Sequence, residues 1–273
     1  MSKGAIVAVL LVLLLFGAVT LVKMTAGSDD GAAQSTADST PGRANVREFW
    51  AHYRAATDAR VSGRITEARD AYRAALELNP SHEDVLYYLG NVELELGHYG
   101  AAEIAWRRLI EINPASARTH SRLGDLYACP DSTAPWDLAR ADAEFHRAAE
   151  LNREETGPLL RLAEVAVLRG DLTGAMTHLD AVIITHPRSV EARYLKGYVA
   201  WKRGEEAVAA AQLREAMALA RAPQTVQQAP AEGDTKHGTT PLVVRAAHCQ
   251  LFDNELTPYA RLDRRLQQVS PLH

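Results

Sequence analysis

Cysteine is nearly missing from this chain: Cys129 and Cys249 are the only two in 273 residues. Two thiols cannot build a disulfide framework, and this pair lacks the spacing of a metal site. An excess of basic charge is missing too. The formal net charge is −4 and the pI is near 6.2, which leaves no electrostatic footprint for nucleic acid. The sequence holds no C-x-x-C-H, no H-E-x-x-H, no G-x-x-x-x-G-K-S/T and no G-x-S-x-G. Its ten histidines are scattered, and Lys236-His237-Gly238 stands where nothing positions a proton transfer. No enzyme activity, cofactor, metal or small-molecule substrate is therefore expected.

Charge is also absent from Gly4 to Val22, a run of nineteen residues bracketed by Lys3 and Lys23. As a helix it would be roughly 28 Å long, the thickness of a bilayer's hydrocarbon core. A cleaved signal peptide and a buried helix are the alternatives. The run exceeds a typical signal core and no A-x-A site follows it closely, so a retained membrane anchor over residues 1–23 is the reading taken. Lys3 ahead of the span favours the N-terminus inside, which places the rest outside the cytoplasm. In a bacterium that means an inner-membrane protein facing the periplasm. Residues 24–47, including S-D-D-G-A-A-Q-S-T-A-D-S-T-P-G-R, are too polar to bury much surface and read as a flexible tether.

What is present, from Glu48 onward, is a pattern with a period of thirty-four residues. Gly63 to Pro80 and Gly97 to Pro114 keep a small residue (Ala68, Ala102), an aromatic four on (Tyr72, Trp106) and a closing Asn-Pro in register. Gly170 to Pro187 repeats the scheme with Ala175 and Leu179, and Gly204 onward gives Ala209 and Leu213. A copy with Gly124, Ala141 and Phe145 carries extra residues within Cys129 to Trp136. Repetition at this length predicts stacked helix pairs, because no single pair can cover its own apolar stripe. In the full copies glycine ends the first helix and proline stops the second.

These residues resemble the tetratricopeptide repeat family, in five copies over residues 48–221. Leu86, Leu89, Gly90, Gly97, Ala102, Trp106 and Pro114 make the fullest copy, while Arg153 and Arg221 replace the final proline in two others. The resemblance implies an all-α solenoid whose first helices line a groove for a protein or peptide partner. Its groove-facing positions fall on Tyr53 and Thr57, Tyr87 and Asn91, Ser121 and Asp125, Leu160 and Glu164, and Tyr194 and Tyr198, with Trp201 one turn on. Several of these could instead pack between repeats or lie under the chain's own tail. A carboxylate clamp is not implied, since Tyr87 replaces the needed lysine and Ser121 and Asp125 stand where basic charge belongs.

Residues 222–241 read as a Pro-, Gln- and Thr-rich linker. Residues 242–273 form a capping or docking segment. One short helix is expected within Leu242 to Phe252, and another from Asn254 to Val269 with Leu256, Tyr259, Leu262, Leu266 and Val269 on one side. In an oxidising compartment Cys129 and Cys249 can bridge and pin this tail to the array; otherwise they are two free thiols. The expected function is a membrane-anchored scaffold or assembly factor, with a constitutive subunit of a large membrane complex as the alternative.

Overall fold

The computed structural model describes residues 41–221, Cys249 and residues 256–269. Two compact units divide the chain, Met1–Val46 and Arg47–His273. Of the first, only helical residues 41–46 are described. Among the described residues there are eleven helices and no strand. The expected anchor at residues 4–22, the linker at 222–241 and the expected helix within 242–252 lie outside the described residues, save for Cys249. No helix among those described is long and apolar enough to cross a membrane.

Ten helices form five consecutive pairs. They are α1 (Pro41–Val61) with α2 (Ile65–Leu78), α3 (Glu83–Glu95) with α4 (Tyr99–Ile112), and α5 (Ala117–Tyr127) with α6 (Leu138–Leu151). Then come α7 (Gly157–Leu168) with α8 (Leu172–Thr185), and α9 (Val190–Lys202) with α10 (Glu206–Arg221). A last helix, α11 (Tyr259–Val269), stands alone in sequence. The second helix of each pair also leans on the first helix of the next, which produces one continuous stack within the unit. Its interior is apolar and continuous from α3 to α11, with a second cluster under α1, α2 and α3.

The turns explain the period. Gly63, Gly97, Gly170 and Gly204 all sit at φ between 74° and 76°. At each, the glycine N–H and the following N–H reach back to close the preceding helix, as in Gly97 to Leu94 (3.0 Å) and His98 to Glu93 (2.8 Å). This double closure satisfies carbonyls that a helix end leaves open, and it needs a residue at ease with positive φ. The third pair has no such glycine. There the extra residues loop out, and the chain returns where the Asp137 N–H donates to the Tyr127 carbonyl at 2.9 Å. The Asp137 carboxylate then caps α6 by accepting from Ala139 and Arg140, both at 3.0 Å.

Helix crossings are set by small residues. A Cβ on Gly124 would come within 2.6 Å of the Phe145 ring, and one on Gly90 would collide with Trp106. Each glycine is therefore the seat of its own pair's aromatic. Two boundaries differ from expectation. Residues 41–47, expected in the tether, are helical: α1 opens on proline, whose fixed φ suits a first turn, and is anchored by buried Phe49. The tail helix opens at Tyr259 rather than Asn254, because proline biases its preceding residue, Thr257, away from helical geometry.

Candidate partner-binding groove

The first helices α1, α3, α5, α7 and α9 carry all the expected groove positions, and three pairs bring theirs together. Tyr87 on α3 is 7% exposed, with the Arg118 guanidinium 4.4 Å above its ring. Its hydroxyl accepts from Arg122 Nε on α5 at 3.4 Å, and Arg122 Nη1 also donates to Asp125 at 3.2 Å. Arg122 thus joins the groove positions of two successive pairs. On α7, Glu164 is buried and bonded to Arg161. The charge of Glu164 above all, with Asp125 assisting, holds the Arg161 guanidinium even more firmly protonated than usual. The result is an alternating row of arginine and carboxylate across α5 and α7, with no net bias toward an acidic or a basic ligand.

The remaining positions are distributed differently. Tyr53 and Thr57 on α1 are half-buried, as are Asn91 and Ser121. Burial first, then the Asp84 carboxylate, pushes the Tyr53 phenol up to about 12. The side-chain oxygen of Asn91 is buried and finds no donor among the described residues. Leu160 is turned toward a cleft of about 540 Å³ that it shares with Val182 and Pro187 between the fourth and fifth pairs.

At the fifth pair the positions are taken. The Tyr194 hydroxyl donates to the Thr257 carbonyl, and the Tyr198 hydroxyl donates to Asp263 on α11 at 2.7 Å. Lys202 reaches the same carboxylate oxygen at 2.8 Å. The Tyr259 ring lies 5.3 Å from that of Tyr194, 5.9 Å from Tyr198 and 6.1 Å from Trp201. A Cβ on Gly197 would strike the Tyr259 hydroxyl and lie 3.2 Å from the Ala209 carbonyl. In this pair α10 offers only Leu213 where the first three pairs offer Tyr72, Trp106 and Phe145, and α11 brings an aromatic to the Gly197 seat. Burial, and then Asp263, raises the Tyr198 phenol well above its ordinary value.

Upstream of α11, Cys249 forms a disulfide with Cys129, at the end of α5 and the start of the third pair's loop. Both cysteines are fully buried, with Cα atoms 4.5 Å apart. Among the described residues no group of histidine, cysteine or carboxylate side chains is arranged to hold a metal. Sequence reasoning missed Arg122 and Arg161, which stand beside the expected positions rather than on them. A signal for the tail's landing place was present: Gly197 has no aromatic in its own pair to receive.

An array of helix pairs with glycine-seated aromatics and a lined row of first helices defines a class, the helical-repeat proteins. Within it, the model for the tetratricopeptide repeat matches residues 53–117 and again 160–224, so the chain carries repeats of that kind. Anaphase-promoting complex subunit 3 of Schizosaccharomyces pombe (strain 972) is 25% identical over 134 residues. That match covers 49% of this chain and spans only 19% of the relative's length. A crystal structure of MamA superposes with a TM-score of 0.57 at 19% identity, covering 64% of this chain and 92% of that one. YrrB, described as a TPR protein with an unusual peptide-binding site, superposes at 0.53 with 19% identity, covering 65% and 93%. These likenesses establish the fold. Tetratricopeptide repeats are a fold that binds protein or peptide partners.

Proposed function

We propose that this chain is a membrane-anchored scaffold or assembly factor that holds a protein partner in the groove of its first four pairs. The carrying observation is Arg122, which links Tyr87 to Asp125 and so aligns groove positions of successive pairs on one face. Half-buried Tyr53, Asn91 and Ser121 offer aromatic area and polar tips beside it. That mixture suits a peptide or helix, whose backbone needs hydrogen bonds and whose side chains need pockets. The uncharged run at residues 4–22 supports an anchor, and the Cys129–Cys249 disulfide supports a compartment that preserves such bonds, such as the periplasm.

Two arginines placed in the groove test the reading. Asn91→Arg with Ser121→Arg should abolish capture of partners cross-linked in intact membranes while helicity by circular dichroism persists. Unchanged capture would move the site elsewhere. Alkaline carbonate should leave the protein in the membrane pellet, and release into the wash would reject the anchor. A second reading, a permanent subunit of a large complex, gains from the relative that is itself named as a complex subunit. It predicts stoichiometric co-purification through detergent, whereas an assembly factor releases its partner.

A further inference from the structure

We infer that the face of α9 bearing Tyr194, Tyr198 and Lys202 is a helix-docking site whose ligand is an amphipathic helix of the pattern aromatic-x-x-Leu-acid-x-x-Leu, and that α11 occupies it as an internal competitor. The inference rests on the groove reading above but concerns the last pair alone, so it can fail while capture through the first four pairs stands.

The pattern is written on α11 itself. Tyr259, Leu262, Asp263 and Leu266 fall at i, i+3, i+4 and i+7, the spacing that puts four side chains on one helical face. Leu262 is 1% exposed and Leu266 is 2% exposed. The acid between them meets two donors of α9 at once, the Tyr198 hydroxyl and the Lys202 ammonium, while Gln267 on its own helix donates to its other oxygen. The aromatic enters the seat at Gly197. Away from this face, Arg261 and Arg264 are exposed to solvent. Recognition therefore needs two leucines, one ring and one carboxylate, and any helix presenting them in that order meets the same partners.

Two features argue that α11 can leave the array. It has eleven residues, a length at which an isolated helix is marginal in water. It has no paired second helix among the described residues, and its hold on α9 runs through one face. Its covalent attachment adds to these contacts, because it converts docking into an intramolecular event with an effective concentration of millimolar order. The disulfide sharpens this. With Cys249 bonded to Cys129, released α11 is tethered from Cys249 rather than from Arg221. The connecting chain is then roughly fourfold shorter, and the −3/2 power of length makes self-docking roughly eightfold more favourable. A partner helix must outbid that advantage, and it gains the site most readily in the reduced protein. Reduction by a dithiol would leave two thiols on this chain and a disulfide on the reductant.

The test uses a fluorescent synthetic peptide spanning Leu256 to Val269, titrated into the full chain. The oxidised chain should bind it weakly. Cys129→Ser with Cys249→Ser should bind it several-fold more tightly, and a chain whose own α11 carries Asp263→Ala and Leu266→Ala at least tenfold more tightly. A peptide carrying Asp263→Lys should lose roughly tenfold or more, as a charge-assisted contact predicts. Should either variant chain lose helicity, the unmodified chain still decides: excess peptide should accelerate amide hydrogen exchange throughout α11. Exchange in α11 that stays slow at millimolar peptide would overturn the inference. So would binding that is indifferent to Asp263→Lys in the peptide.

Discussion

The Tyr198 hydroxyl donates to the Asp263 carboxylate across 2.7 Å, tying the first helix of the last pair to a helix that follows the array. Stacked arrays leave their final pair with an uncovered apolar face, and here Tyr259, Leu262 and Leu266 cover it. The cap thus rests on Tyr194 and Tyr198, two of the expected groove positions. Replacing Tyr259 with alanine empties the Gly197 seat and should cost about 2 kcal/mol, below the about 3–5 kcal/mol of a fully buried aromatic because the ring is only partly buried. Hydrogen exchange should locate the loss, with α9 and α10 losing protection first and α3 and α4 last. Equal loss throughout would mean that the stack unfolds as one body.

The Cys129–Cys249 bond closes a loop of 120 residues across the second half of the array. Chain entropy gives such a loop up to about 5 kcal/mol. Urea midpoints with and without a dithiol reductant should therefore differ clearly. The double replacement Cys129→Ala with Cys249→Ala should remove the difference.

Arg122 and Asp125 expose only 12% and 11% of their side chains. Removing the carboxylate takes the charged partner from a buried guanidinium that keeps its Tyr87 contact, so Asp125→Ala should cost about 3 kcal/mol. Adding Arg122→Ala should return part of that loss, and a double-mutant cycle by urea unfolding would measure it. Additive losses would show that the pair is not coupled.

The turn glycines permit a graded series. Gly97→Ala forces a methyl into positive φ with open space around it, at a cost of about 1 kcal/mol. Gly124→Ala stays helical but drives into the Phe145 ring, and overpacking of that kind costs about 1–3 kcal/mol. Thermal unfolding should rank Gly124→Ala as equal or worse, although its backbone conformation suits alanine.

Alkaline pH should weaken the array by a route through Tyr53. Burial first, then Asp84, holds its phenol at about 12, while in the unfolded chain it ionises near the ordinary value of about 10. Between those values the unfolded state has given up a proton that the folded state keeps, so stability falls as pH rises through the window. Tyr53→Phe should remove part of that fall in urea midpoints taken from pH 9 to pH 12, the rest coming from other raised phenols such as Tyr99 and Tyr198.

The pairs were legible in the sequence because each turn demands glycine and each crossing a small residue, and both demands recur at the same offset. The positions Tyr53, Tyr87, Ser121 and Leu160 came from the family resemblance, and all four fall on first helices. The helical start at Pro41 was not legible, since residues 42–48 are all exposed and only Phe49 is buried. A solvated face leaves no apolar period to read. Nor could spacing show that Arg122 bridges two pairs, because a long side chain reaches across a boundary that the repeat register does not mark. For the tail, the alternation of Leu262 and Leu266 announced an apolar face but not the surface it meets. That surface became visible only in the lack of an aromatic to serve Gly197.

The most direct measurement compares two photo-crosslinking positions in intact membranes. A benzophenone side chain at Ser121, an expected groove position on α5, should trap a protein partner. The same probe at Ile104, on α4 and 71% exposed, should trap none. Equal adducts from both positions, or adducts from Ile104 alone, would contradict a partner held in the groove.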